Sequence, residues 1–262
     1  MRSPWLHRCA VLLAVISLAS VFTGAAVTGN PERPYYSLGQ THLCLSIAAG
    51  VLTIAVVLWL ASSRGGTALR RLGWSAIAAV AFEAVVGLQP LPQPPALRIT
   101  HAATAELLFS AIVVIAVCTG WAEPPKRAEG SSFLRFLGNA APIVVLAQVA
   151  LGTLFRHGVL GVGPHLIGAF VIAFFILGVT LSVIYKPEHS ELHLAARSLL
   201  TIASVQVFVG LTLFSMQSMD VDPGLVILVT MIHAATGALT LAATVVMAIL
   251  IRRHVYVPDS AA

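Results

Sequence analysis

Charge is what this sequence lacks most. Only 10% of its 262 residues are Asp, Glu, Lys or Arg, and the acids number ten, where a soluble domain carries about a quarter charged residues. That scarcity excludes a soluble globular chain, and it equally excludes a disordered one, which depends on charge for solvation. Cysteine is also rare. Cys9, Cys44 and Cys118 lie in or beside apolar stretches, with no CxxC and no pair in a loop, so a disulfide framework is not expected. The net charge of +5 does not point to nucleic acid, because no basic groove interleaved with aromatics accompanies it.

What is present is apolar sequence, 58% of the chain, with a mean hydropathy of +0.93. A bilayer-spanning helix needs about 20 apolar residues. Eight such runs can be delimited, at about 9–28, 40–62, 72–89, 99–121, 136–155, 164–185, 196–216 and 224–251. Polar or Pro/Gly-rich breaks separate them, among them Asn30-Pro31-Glu32-Arg33-Pro34, Ser63-Arg64-Gly65-Gly66 and Lys186-Pro187-Glu188. Little chain remains for a sizeable extramembrane domain. The first run follows Arg2 and Arg8 like a signal peptide, but it is long for one and ends in poor cleavage signals, so it reads as a retained helix. Basic residues then set the orientation. With the N-terminus inside, one side receives Arg2, Arg8, Arg64, Arg70, Arg71, Lys126, Arg127, Arg135, Lys186, Arg197, Arg252 and Arg253; the other receives only Arg33, Arg98 and Arg156. Both termini are therefore expected in the cytoplasm, with even-numbered helices running inward from the outer face.

The two halves of the chain answer each other. His101-Ala102-Ala103-Thr104 opens span 4 and His233-Ala234-Ala235-Thr236 lies in span 8, while His42-Leu43 in span 2 matches His165-Leu166 in span 6. Each odd span carries a polar residue four before a glycine: Ser20 and Gly24, Glu83 and Gly87, Gln148 and Gly152, Gln206 and Gly210. These matches occur in the same order in both halves. They predict an all-α membrane protein of eight transmembrane helices, arranged as two homologous four-helix bundles over 1–121 and 136–262. A cytoplasmic linker over 122–135 joins them, and a pseudo-twofold axis lies along the membrane normal.

Of nine histidines, His42, His101, His165 and His233 fall one in each even span, toward its outer end. Ionisable residues within a membrane are costly and default to functional hypotheses. The plainest alternative is four interhelical staples, each imidazole bonding a neighbouring carbonyl. Placement once per even helix favours haem ligation instead, since two imidazoles from facing helices can take both axial positions of one iron. The pairs are then His42 with His101 and His165 with His233, with the odd-helix glycines letting a flat macrocycle approach the backbone. Two histidines per bundle leave zinc short of ligands. Arg98 and Arg156, at the outer surface, can pair with haem propionates, or simply snorkel. Glu83 and Glu106 are the acids within spans, candidates for proton transfer or for polar contacts between helices; Glu106 lies five residues past His101, about 140° around the helix. Other signals are weaker. His189 and His193 share an i, i+4 face in a short cytoplasmic loop, His7, His157 and His254 stand at span ends, and Met216 and Met219 read as packing residues.

This pattern resembles the haem A synthase family of cytochrome oxidase assembly. Gly152-Thr153-Leu154-Phe155-Arg156-His157, followed by Pro164-His165-Leu166-Ile167-Gly168-Ala169, is similar to the family's helix 5 end and histidine-bearing helix 6. Gly24-Ala25-Ala26-Val27-Thr28 is similar to its helix 1 end, and Thr41-His42 to its helix 2 start. The resemblance implies that His165 and His233 hold a resident haem b and that His42 and His101 bracket the substrate, haem O. Oxidation of the haem O C8 methyl to a formyl would give haem A, with electrons supplied from outside. It further implies a bacterial inner membrane setting among membrane lipid, contact with a haem O synthase or oxidase assembly factors, and room for a homo-oligomer.

The chain also departs from the family. The glutamate usual three residues before the first histidine is Gly39 here, residues 29–41 lack the cysteine pair of many bacterial members, and the outer loops are short. Two further functions therefore stand beside the enzyme: a non-catalytic b-type cytochrome or haem-binding subunit on the same scaffold, and a transporter built from repeats.

Overall fold

The computed structural model describes residues 3–29, 36–63, 66–89, 93–121, 128–185 and 190–257. These form eight α-helices: α1 Pro4–Gly29, α2 Tyr36–Ser62, α3 Thr67–Gly87, α4 Pro95–Gly120, α5 Ser132–Arg156, α6 Val162–Ile184, α7 Ser190–Met216 and α8 Pro223–His254. The protein is an all-α membrane protein. Seven of the helices are long and apolar enough to cross a membrane. The eighth, α3, carries Arg70, Arg71 and Glu83 within its 21 residues.

Several helices run past the apolar stretches that predict them. α3 begins at Thr67, α5 at Ser132 and α7 at Ser190, because arginines, Glu191 and their neighbours are sound helix formers that an apolar window does not register. Local chemistry sets several ends. Pro95 opens α4 at a position where its missing N–H costs nothing. The Ser131 side chain caps α5 by accepting from the Leu134 amide, and Asp222 Oδ1 accepts from the Leu225 amide at 3.0 Å in the first turn of α8. α5 ends through Gly158, whose φ of 72° is the left-handed conformation a helix stop favours. The Val159 amide then returns to the Leu154 carbonyl at 2.9 Å. Pro142 is accommodated inside α5.

Packing divides the chain into two compact units, Met1–Trp121 with Phe208–Ala238, and Ala122–Val207 with Leu239–Ala262. In the first unit α1 packs on α2 and α4, α2 on α3, and α3 on α4, so four helices close on one another. Its core is built from Leu6, Ala10 and Leu13 of α1, Val56 and Leu60 of α2, and Ile112, Ile115 and Ala116 of α4. Those residues recur at three- and four-residue steps, one stripe per helix. A second cluster joins Ala25 and Ala26 of α1 to Met231 of α8, with Ile227 and Ala234 against it. In the second unit α5 packs on α6, and the apolar stripe Ile167, Phe170 and Phe174 of α6 stays exposed, as a lipid-facing surface should.

The segment read as a linker carries structure of its own. Strand β1, Ala128–Glu129, pairs in parallel with β2, Val255–Tyr256, in the register Ala128 to Val255. The Gly130 amide donates to the Tyr256 carbonyl at 2.9 Å, and Arg135 Nη2 donates to the Val255 carbonyl at 2.8 Å. Arg252 Nε reaches Asn139 Oδ1 at 2.7 Å, which ties the end of α8 to α5.

Candidate functional site

The helices form hairpins, and each hairpin carries one of the four histidines opposite one of the four glycines. A Cβ built on Gly24 would stand 2.7 Å from Cε1 of His42; on Gly152, 3.0 Å from Cε1 of His165; on Gly210, 3.0 Å from Cε1 of His233. Gly87 is looser, at 3.6 Å from Cε1 of His101. Gly24, Gly152 and Gly210 are thus required by close approach: the Cε1 edge of an imidazole reaches the backbone of the neighbouring helix where a side chain would collide with it. Every glycine comes near the end of its helix. His42 and His101 each follow the start of theirs by six residues, about 9 Å along the axis.

At three of the four seats the polar residue one turn before the glycine contacts the histidine, since positions i and i+4 share a helix face. His42 Nδ1 donates to the Ser20 carbonyl at 3.0 Å, and the Ser20 hydroxyl bridges to Ser46 at 2.7 Å. His101 Nδ1 lies 2.8 Å from Glu83 Oε2. Gln148 Nε2 donates to the His165 carbonyl at 2.7 Å, and the Phe155 ring stacks over His165 with centroids 6.4 Å apart. Holding Nδ1 in this way fixes the tautomer of His42 and leaves Nε2 with its lone pair free, the usual state of a metal-ligating imidazole.

The arginines fall on the same faces. Arg98 precedes His101 by three residues in α4, and its Nε is buried without a hydrogen-bond partner, so it holds a donor in want of an acceptor. Arg156 closes α5 one turn after Gly152. No family model and no curated protein matches this chain. The resemblance to haem A synthases therefore rests on its short motifs and on histidine placement.

The remaining candidates separate. Glu83, not Glu106, is the carboxylate beside His101; Glu106 lies partly buried farther along α4, its carbonyl accepting from Ser110 at 2.9 Å. His42, His101 and His233 belong to the first compact unit and His165 to the second, whereas the paired-half reading groups His233 with His165. Gly39 faces open space, with nothing within 4 Å of a built Cβ. Among the described residues no three His, Cys, Asp or Glu side chains converge as a metal-ion site. Met219 is exposed, and His189 lies outside the described residues.

Two histidines differ from their reading as ordinary span ends. His7 sits in a fifth seat of the same build at the opposite end of the first four helices. Its Nδ1 donates to the Ala116 carbonyl at 3.0 Å, and Gly120 lies under its ring, with a built Cβ 2.9 Å from Cε1. The signal was present in sequence as a glycine four after Ala116, but Ala116 is not the polar residue that marks the other seats. His254 is buried and pairs with Glu191, Nε2 to Oε2 3.0 Å.

Proposed function

We propose that the protein is a multi-pass membrane haem protein of haem A synthase type, converting haem O to haem A in the bacterial inner membrane. The observation that carries this reading is the set of four glycine-seated imidazoles, one per hairpin, of which His42 has its Nδ1 anchored so that Nε2 is free. A haem needs nitrogen donors and cationic partners for its propionates, and the seated imidazoles and Arg98 are the candidates here. When bound, haem would supply redox-active iron held by these histidines, and the substrate haem would carry the methyl to be oxidised to a formyl.

Each residue then has a task. His42 and His101 are proposed to hold the substrate macrocycle, with Gly24 making room for the His42 ring itself. Arg98 binds a propionate with its buried Nε–H. Glu83 orients His101. His165 and His233 are proposed as ligands of a resident haem b, each in its own seat, with Arg156 on the face that carries the His165 seat. Oxidising the methyl to a formyl would need an external oxidant, dioxygen in a monooxygenase-type reaction, with an outside donor supplying the electrons that reduce its remaining oxygen to water; haem O synthase or oxidase assembly factors are the proposed neighbours.

One observation favours the second reading, a non-catalytic b-type cytochrome. Gly39 leaves empty space one turn before His42, where the resembled family usually has a carboxylate. Co-expression with a haem O synthase separates the two. The enzyme reading expects haem A in the extracted pigments, whereas haem B with unchanged haem O would support the cytochrome.

A further inference from the structure

The four seats differ at one atom. Ser20, Gln148 and Gln206 are neutral, and only the α3–α4 hairpin places a carboxylate there. Glu83 Oε2 lies 2.8 Å from His101 Nδ1, with the two side chains 15% and 19% exposed. Its other oxygen, Oε1, is buried with no hydrogen-bond partner, and the close contact of Oε2 is with His101. The corresponding acceptor for His42 is the neutral Ser20 carbonyl. Glu83 also lies four residues from the end of α3, about 6 Å along the axis, where a carboxylate costs less than at the bilayer centre.

We propose that Glu83 is a positioning residue that makes His101 a stronger axial donor than His42; this rests on reading both histidines as iron ligands. Hydrogen bonds to ionised acceptors are roughly twice as strong as those to neutral ones, and a carboxylate on the outer nitrogen of a ligating imidazole raises its basicity. Glu83 therefore fixes His101 with its proton on Nδ1 and draws that proton outward, so electron density at Nε2 rises and the oxidised iron is favoured. The pair is unequal by construction, an anchored donor on α4 and an ordinary one on α2.

The test uses the full-length chain in detergent, reconstituted with haem B. Glu83→Gln keeps the volume and a neutral acceptor, so a plain interhelical staple would leave the redox behaviour unmoved. The expected result is unchanged haem content with one redox component favouring reduction about tenfold more, a rise of about 59 mV for a one-electron couple. A midpoint equal to wild type overturns the proposal. A second measurement leaves Glu83 in place. In ferrous His42→Ala the iron–histidine stretch reports on His101 and should exceed that of His101→Ala, which reports on His42; equal frequencies also overturn it. A wild-type chain that takes up no haem defeats the parent reading instead, and that outcome is distinct from either of these.

Discussion

At the scale of single residues, distance decides which glycines matter. A methyl at Gly24 would come within 2.7 Å of the His42 ring, whereas at Gly87 it would meet His101 at 3.6 Å, an ordinary contact. Gly24→Ala must push the imidazole off its seat, an overpacking cost of about 1–3 kcal/mol, while Gly87→Ala should stay within about 0.5 kcal/mol of wild type. Thermal unfolding in detergent, followed alongside the absorbance of reconstituted haem, should show both signals falling for the first variant and neither for the second. Part of this was legible in the sequence: the polar–x–x–x–glycine pattern and the histidine in each even span were visible, but the glycines were read as room for a macrocycle, whereas imidazole rings lie over them. What stayed hidden was which carboxylate serves His101. Sequence offered Glu83 and Glu106 equally, and only the packing of α3 on α4 selects Glu83. The Gly120 seat under His7 was missed for a related reason, because its partner carbonyl belongs to an alanine.

At the scale of elements, hydropathy located every helix but misplaced several ends. Apolar windows stop where charge begins, yet helix hydrogen bonding continues through Arg70, Arg71 and Glu191, and the pairing of β1 with β2 has no apolar signal to announce it. The α5–α6 turn shows how an end positions the site. Gly158, at φ 72°, turns the chain so that Gly152 and His165 face each other. Nothing crowds its absent side chain, so Gly158→Ala should cost only the backbone term, about 1 kcal/mol, read as a lower unfolding midpoint. An unchanged midpoint would mean that this turn does not hold the hairpin.

At the scale of the whole molecule, the open parity is that of the spans. Seven helices qualify as spans on composition; eight are required if both termini share a side, and α3 is the difference. Arg70 and Arg71 lie near its start and Glu83 near its end, paired with His101, so the stretch between them, 72–82, is free of charge and the flanking groups can reach the interfaces. Reporter fusions at the two ends should therefore both report cytoplasm. Opposite sides would remove α3 from the membrane and, with it, the seat of His101. The internal similarity predicted a grouping of α5 to α8, but the packing sets 208–238 with 1–121, because Met231 and its neighbours lie against Ala25 and Ala26. Pairwise sequence matches carry no information about which hairpin a helix end leans on.

The central claim is that these imidazoles hold haem, and the most direct measurement is the haem content and absorption spectrum of the purified chain supplied with haem B. The account predicts a low-spin, bis-histidine spectrum that weakens in His42→Ala, His101→Ala, His165→Ala and His233→Ala. It should be untouched in His7→Ala, whose seat has the same build. Absence of haem, or equal haem retention in the variant lacking all four histidines, would contradict it and leave the four seats as helix packing.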